Sequence, residues 1–226
     1  AKTASEIPLI KVEDLAFEYP GTGRRFLFES AELREGERIA LVGPSGAGKT
    51  TFLMLLFGIF RDYRGCIYFQ GREIRSMPIG ELRTRIGLLL QDSFVLAGSV
   101  ANNVAYGAGE NLEPGEQAIM AALEKVALRK EVFQMPKGLQ TPVLHLGTNL
   151  SGGQRRRLCL SRALVRKPDL LMLDEPLTGV PPAEVRTIID TLTHDGLGVS
   201  MLICTHQRDI LRAVDRTIVI NTTECD

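Results

Sequence analysis

The chain has 226 residues, 44% of them hydrophobic and 24% charged, enough apolar material to bury a core in one domain carrying a subdomain. Twenty-seven basic and twenty-seven acidic residues cancel, which excludes a global field favouring nucleic acid or an anionic bilayer and leaves open only a local basic groove. The longest apolar run, residues 52–60, is about half of the roughly twenty that a membrane-spanning helix needs, and reads as core. The N-terminus carries no basic-then-apolar pattern, and Cys66, Cys159, Cys204 and Cys225 form no C-x-x-C pair. Reduced thiols in a cytosolic setting are expected, the first three buried in apolar segments. The start at Ala1 suggests processing or excision from a longer polypeptide.

Residues 9–19 and 27–42 read as short strands around a Gly-rich turn, Pro20-Gly21-Thr22-Gly23, and predict an antiparallel β layer. The last of them, residues 37–42, runs as a buried strand into Gly43-Pro44-Ser45-Gly46-Ala47-Gly48-Lys49-Thr50, and residues 51–57 read as a helix running out. The eight residues match G-x-x-x-x-G-K-[ST], in which backbone N–H groups cradle phosphates, Lys reaches the terminal ones and the hydroxyl holds Mg²⁺. Glycines alone would indicate only a turn with positive φ; Lys-Thr at the helix start favours nucleotide binding. Later apolar runs at 86–90, 170–173, 199–203 and 218–220 are near-continuous, as in parallel strands covered on both faces. Between Ser99 and Lys167 strand signals fade, and 114–128 shows helical spacing at Ile119, Leu123 and Val126 behind Pro114.

The 170–173 strand ends in Asp174-Glu175, which places two acids at the carboxyl edge of a parallel sheet, where phosphate ligands bind. Asp174 suits Mg²⁺, directly or through water, and Glu175 suits polarisation of an attacking water. The sequence thus predicts an α/β fold: a P-loop NTPase whose mostly parallel core sheet is flanked by helices, with an N-terminal antiparallel β layer and an inserted α-helical subdomain. The ATP-binding core is expected over 1–92 and 168–226, the insertion over 93–167.

With Leu150-Ser151-Gly152-Gly153-Gln154 and Cys204-Thr205-His206 added to the loop and the acidic strand end, the chain resembles the nucleotide-binding domains of ATP-binding-cassette (ABC) transporters from about Leu9 to Ile220. The resemblance implies that Ser151, Gly152, Gly153 and Gln154 of one domain close over the γ-phosphate of ATP held by the P-loop of another. A helix N-terminus with small residues suits an anion; the plainer reading is a helix cap before residues 154–166. It further implies that Gln91 senses Mg²⁺ and the transmembrane partner, that His206 contacts the γ-phosphate, and that Tyr19 stacks on adenine while Thr51 follows the loop. Catalytic roles fall to Glu175, His206, Gln91 and Lys49, and metal ligation to Thr50, Gln91 and Asp174. His145 and His194 are expected to be structural, and Arg155-Arg156-Arg157 to lie on a solvated helix face. Residues 91–104 look like the exporter branch, where this loop meets a coupling helix of the membrane domain.

Two segments depart from the family pattern. Pro181 stands where an aspartate is usual, seven residues past Asp174, and offers neither a carboxylate nor an N–H. Leu144, His145 and Leu146 stand where exporters carry Gly-Glu-Arg, which exchanges a polar contact for an apolar one. The chain also ends at Asp226, without the hairpin and helices that usually follow.

The expected function is therefore an ATP-hydrolysing exporter domain at the cytoplasmic face of a membrane, taking ATP and Mg²⁺. It would pair head to tail with a second such domain, like or unlike, and power a transmembrane domain in the same or another chain. The alternatives are a binding module that closes on ATP with little turnover, which Pro181 favours, and a soluble relative acting on ribosomes or DNA. The latter would need paired cassettes, coiled-coil insertions or basic extensions, so no nucleic-acid partner is expected.

Overall fold

The structure, a computed structural model, describes residues 7–109, 113–193 and 199–221. Strand β1 (Ile10–Glu18) pairs antiparallel with β2 (Arg25–Phe28) and β3 (Ala31–Leu33). The intervening turn closes through Tyr19 N–H to the Arg24 carbonyl at 3.0 Å. After β3 the chain leaves this layer. β4 (Arg38–Val42) carries Ile39, Ala40 and Leu41 in a fully buried run, so it needs cover on both faces and enters a second, parallel sheet. The expected antiparallel stretch over 27–42 thus splits at Leu33. Past helix α1 (Lys49–Leu56) the chain returns to the first layer as β5 (Arg64–Phe69) and β6 (Arg72–Glu73), so the layer is not purely N-terminal.

Helix α2 (Ile79–Arg85) then leads into β7 (Ile86–Leu89), a strand of the parallel sheet. A mostly helical stretch follows: α3 (Val100–Ala105), α4 (Glu116–Lys125), α5 (Arg129–Gln134) and α6 (Gly152–Leu164). Two short antiparallel strands pair within it, β8 (Gly98–Ser99) before α3 and β9 (Pro142–Val143) between α5 and α6. The spacing read from sequence holds, since Ile119, Leu123 and Val126 are all buried. The chain closes with β10 (Leu170–Asp174), α7 (Pro182–Thr193), β11 (Ser200–Cys204), α8 (Arg208–Ala213) and β12 (Arg216–Val219).

The parallel sheet has the order β12-β4-β11-β10-β7. Because side chains alternate across a strand, each central strand feeds two cores. Leu170 and Met172 of β10 point into one core with Leu202 and Cys204 of β11, against α1 and the antiparallel layer. Leu171 and Leu173 point into the other with Met201 and Ile203, against α6, α7 and α3. Every residue of β10 and β11 is buried, as the continuous apolar runs required. The 52–60 run is core only in its first part: Phe52, Leu53, Leu55 and Leu56 are buried, whereas Phe57 and Phe60 are half-buried and Ile59 is exposed, because helix α1 ends at Leu56. Among the described residues no helix is long and apolar enough to cross a membrane.

Candidate functional site at the carboxyl ends of the parallel strands

Four strands deliver their carboxyl ends to one edge of the sheet, and the predicted site residues follow directly from them. β4 runs into the Gly43–Thr50 loop, β7 into Gln91, β10 into Asp174 and Glu175, and β11 into Thr205 and His206. In register, Leu41 lies beside Cys204, and Cys204 beside Asp174. The edge opens into a cleft of about 300 Å³ lined by Tyr19, Arg24, Phe26, Ser45, Gly46, Gly48, Lys49, Thr50, Thr51, Gln91, Asp174, Glu175 and His206. Residues separated by up to 187 positions in sequence are thereby brought to one cavity (Tyr19 to His206).

Gly48 opens α1 from the left-handed region at φ 90°, and a Cβ there would press into the Phe26 ring at 2.5 Å, so glycine is required. Lys49 Nζ donates to the carbonyls of Gly43 and Pro44 at 2.8 and 2.9 Å, which folds the side chain back over its own loop. Thr50 Oγ1 donates to Asp174 Oδ2 at 2.5 Å. These hard oxygens, one neutral and one anionic, are the kind of donors that would hold Mg²⁺. No cluster of three or more His, Cys, Asp or Glu exists among the described residues to form an all-protein cage. Gln91 is exposed on the cleft wall.

Glu175 is held by its backbone in an unusual conformation. Its φ is 47°, costly for a residue with a Cβ, and its N–H is fixed to the Cys204 carbonyl at 2.9 Å. Its Oε1 is buried without a hydrogen-bond partner, although His206 Nε2 approaches within 3.3 Å; that contact lacks hydrogen-bonding geometry. Burial pushes the Glu175 carboxyl above its ordinary range, while His206, Lys49 and Arg156 pull against the rise. His206 itself projects outward with its side chain 67% exposed.

Tyr19 sits at the cleft edge within an aromatic cluster, edge-on to Phe17, Phe26 and Phe60, and its hydroxyl meets Thr51 Oγ1 at 3.0 Å. It is therefore both part of the aromatic core and a wall of the site. Ser151, Gly152, Gly153 and Gln154 do not line this cleft. They form a capping box at the start of α6: Ser151 Oγ accepts from Gln154 N–H and Gln154 Oε1 accepts from Ser151 N–H. Gln154 Nε2 also donates to Glu131. The helix cap and the exposed N-terminus coexist, so the plainer reading of Ser-Gly-Gly is true without displacing the other. Of the two glycines only one is explained within the chain. A Cβ on Gly153 would lie 2.9 Å from the Gly179 carbonyl, whereas one on Gly152 would meet nothing closer than Arg155 Nη2 at 3.9 Å.

The expected solvated face at Arg155-Arg156-Arg157 is overturned. Arg156 and Arg157 are buried, 9% and 3% exposed, while Arg155 is half-buried and donates to the Gly147 and Leu150 carbonyls. The signal was available: Gly153, Arg156, Arg157, Leu160 and Leu164 share one face by helical spacing, so burial of the leucines turns the arginines inward. Arg157 pairs with Glu131 at 2.7 Å and donates to the Ala127 carbonyl. Two smaller expectations also fail. Cys66 is half-buried because β5 pairs near the edge of its layer, and His145 is exposed in a tight turn with no core to join. His194 and Cys225 lie outside the described residues.

The family model described as ABC transporter matches residues 29–178, spanning the P-loop, the signature and the acidic strand end. This chain belongs to the ABC transporter family. ATP-binding domains of the ABC family are ATPases coupled to transport. ATP-binding cassette sub-family B member 6 of Mesocricetus auratus is 31% identical over 212 residues, covering 93% of this ABC domain and 25% of that protein. Multidrug resistance protein 1 of Entamoeba histolytica is 30% identical over 217 residues, 95% of this domain and 17% of that protein. A solved structure of a bacterial Atm1-family ABC exporter with ATP bound superposes at a TM-score of 0.87 with 28% identity, over 96% of this domain and 37% of that chain. The ABC domain thus spans about a quarter or less of these two curated relatives.

Proposed function

We propose that this ABC domain hydrolyses MgATP in the cleft at the strand ends and that hydrolysis powers an exporter's transmembrane domain, in the same or another chain, at the cytoplasmic face of a membrane. The observation that carries the reading is the convergence of Lys49, the Thr50–Asp174 pair, Gln91, Glu175 and His206 on one cavity. Phosphoryl transfer asks for positioning and charge stabilisation, and each is supplied by a separate strand end. The P-loop amides and Lys49 hold the phosphates; Thr50, Asp174 and Gln91 hold Mg²⁺, which neutralises phosphate charge when bound. Glu175 orients the attacking water, His206 faces the γ-phosphate, and Tyr19 offers a ring to the adenine.

The cleft lacks the signature, and Gly152 has no reason within this chain to be glycine. Both features fit a head-to-tail dimer with two MgATP at the interface, in which Ser151, Gly152 and Gly153 meet the γ-phosphate bound by the other domain. The transmembrane partner would meet the apolar surface made by Phe94, Leu144 and Leu146, which are 63%, 53% and 60% exposed. A second reading, a module that closes on ATP with little turnover, is favoured by Pro181, which is exposed at the start of α7 and brings no carboxylate to the interface.

Phosphate release from MgATP measured against protein concentration tests the proposal. Turnover per domain rises with concentration and falls about 10²–10⁴-fold in Glu175→Gln, with nucleotide binding retained. Binding without turnover in the parent chain would move the assignment to the closing module, and Pro181→Asp would then restore hydrolysis.

A further inference from the structure

Among the described residues, Arg156 is the buried arginine whose donors are all spent on the strand ends of the cleft. A guanidinium has five N–H groups, and here five backbone carbonyls receive them. Nη1 donates to Leu90 and Gln91 at 2.8 and 2.7 Å; Nη2 donates to Asp174 and, at 2.7 Å, to Glu175; Nε donates to Pro176 at 3.3 Å. Among the described residues no carboxylate lies within ion-pair distance of it. A buried cation is tolerated only when fully hydrogen-bonded, and a structural ion pair would have served burial at lower cost. The arrangement instead spans two segments that otherwise diverge, the start of the loop carrying Gln91 and the turn carrying Glu175.

That turn needs external support. Glu175 stands at φ 47° with an unpartnered buried Oε1, a geometry that persists only if its neighbours over-determine it. Its N–H is tied to β11 and its carbonyl to Arg156, so the two ends of the residue are anchored to different elements. Arg156 belongs to α6, the helix that begins at Ser151 and is locked to α5 through Arg157 and Gln154 on Glu131.

We propose that Arg156 is a positioning residue for hydrolysis, a clamp that fixes Gln91 and Glu175 relative to one another and links both to the signature helix. The proposal rests on the hydrolytic reading of Glu175 and Gln91. It makes no contact with nucleotide itself, since Arg156 does not line the cleft. Any displacement of α6 is passed to both groups at once, so engagement of the signature by a second domain would be felt at this domain's own water-orienting carboxylate.

The test compares Arg156→Lys, with three donors, and Arg156→Met, with none, in the 226-residue chain. Turnover falls about tenfold in Arg156→Lys and about 10²-fold in Arg156→Met, the loss expected when a catalytic group is misplaced by about 1 Å. MgATP affinity stays within about twofold, because the P-loop is untouched. A merely structural role would lower the folded fraction and leave turnover per folded molecule at the parent value; that result overturns the proposal. Glu175→Gln in the same assay separates the two readings: if it alone leaves turnover intact, the hydrolytic assignment fails, whereas parent-like kcat in Arg156→Met sinks only the clamp. Amide exchange is read independently of turnover. In Arg156→Met the Ser93 and Glu175 amides, bonded to the Leu90 and Cys204 carbonyls, lose protection together; unchanged protection at either refutes the clamp.

Discussion

The two faces of the parallel sheet are built from different materials. Toward α1 and the antiparallel layer the core contains Phe17, Phe26, Phe28, Phe52, Tyr63 and Phe69. Toward α6 and α7 the buried cluster has no aromatic ring among the described residues. That second face instead buries Arg156, Arg157, Asn103 and Ser161, each satisfied by directional bonds to backbone or side-chain oxygens. Ring packing gives a stiff platform whose stability scales with buried area. Directional bonds give a definite geometry that can be exchanged for another without emptying the core. The P-loop grows from the first face, and the groups argued to orient water are tied to the second.

The largest expected effect tests the first face. Phe52 is 3% exposed and packs against Phe28 with ring centroids 5.0 Å apart. Phe52→Ala should cost about 3–5 kcal/mol of stability and weaken nucleotide binding, since the residue lies in the helix that the loop opens. A shift in urea midpoint worth less than about 1 kcal/mol would break the distinction between the faces.

The second face should answer to geometry rather than mass. Ala at 153 gains helix propensity but drives a methyl against the Gly179 carbonyl, in the turn that starts at Glu175, where Thr178 N–H bonds the Glu175 carbonyl. Turnover of Gly153→Ala should drop about tenfold, near 1.4 kcal/mol of barrier, at unchanged unfolding midpoint. Gly152→Ala has room within the chain, so any loss of turnover there must come from outside it. Equal loss of turnover in the two variants, at a concentration where the parent chain turns over, would erase the difference.

The acid limb of the rate profile sharpens the same point. Burial holds the Glu175 carboxyl above its ordinary 4.5, against the pull of His206. Orientation of water requires the ionised form, so turnover should fall tenfold per pH unit below a midpoint that lies above 4.5, and the limb should vanish in Glu175→Gln. The sign for stability is opposite: a carboxyl whose folded value is raised destabilises the fold when ionised, so Glu175→Gln should be slightly more stable than the parent at neutral pH.

What could be read from the sequence follows the same division. The P-loop, the Asp174-Glu175 strand end and the buried runs of β10 and β11 are local patterns, and each is found where its spacing put it. The return of β5 and β6 to the antiparallel layer was not legible, because Arg64, Gly65 and Arg72 dilute the alternation and only pairing with β1 supplies the order. Arg156 was misread because charge suggested solvent, although the helical period placed it beside Leu160. The left-handed backbone of Glu175 has no sequence signal at all; it follows from where β11 and α6 pull.

The smallest effect concerns how the sheet's outer strand is fastened. Asp215, just before β12, accepts from Arg38 Nε and Nη2 at 3.0 and 2.8 Å and from the Arg38 N–H at 2.8 Å, joining the start of β12 to the start of β4. The Arg38 side-chain hydrogen bonds hold the Asp215 carboxyl below its ordinary 3.8, with the backbone bond adding to them against a burial cost. A lowered folded value means that the contribution is present above the ordinary aspartate range and lost as pH falls through the folded value, so its window lies below 3.8. Because the Asp215 side chain is 42% exposed, solvent screens the pair, and Asp215→Asn should cost less than about 1 kcal/mol at neutral pH. The cost should shrink toward zero in acid as the parent's carboxyl protonates. A cost well above that, or one independent of pH, would show that β12 is fastened by the bidentate geometry rather than by charge.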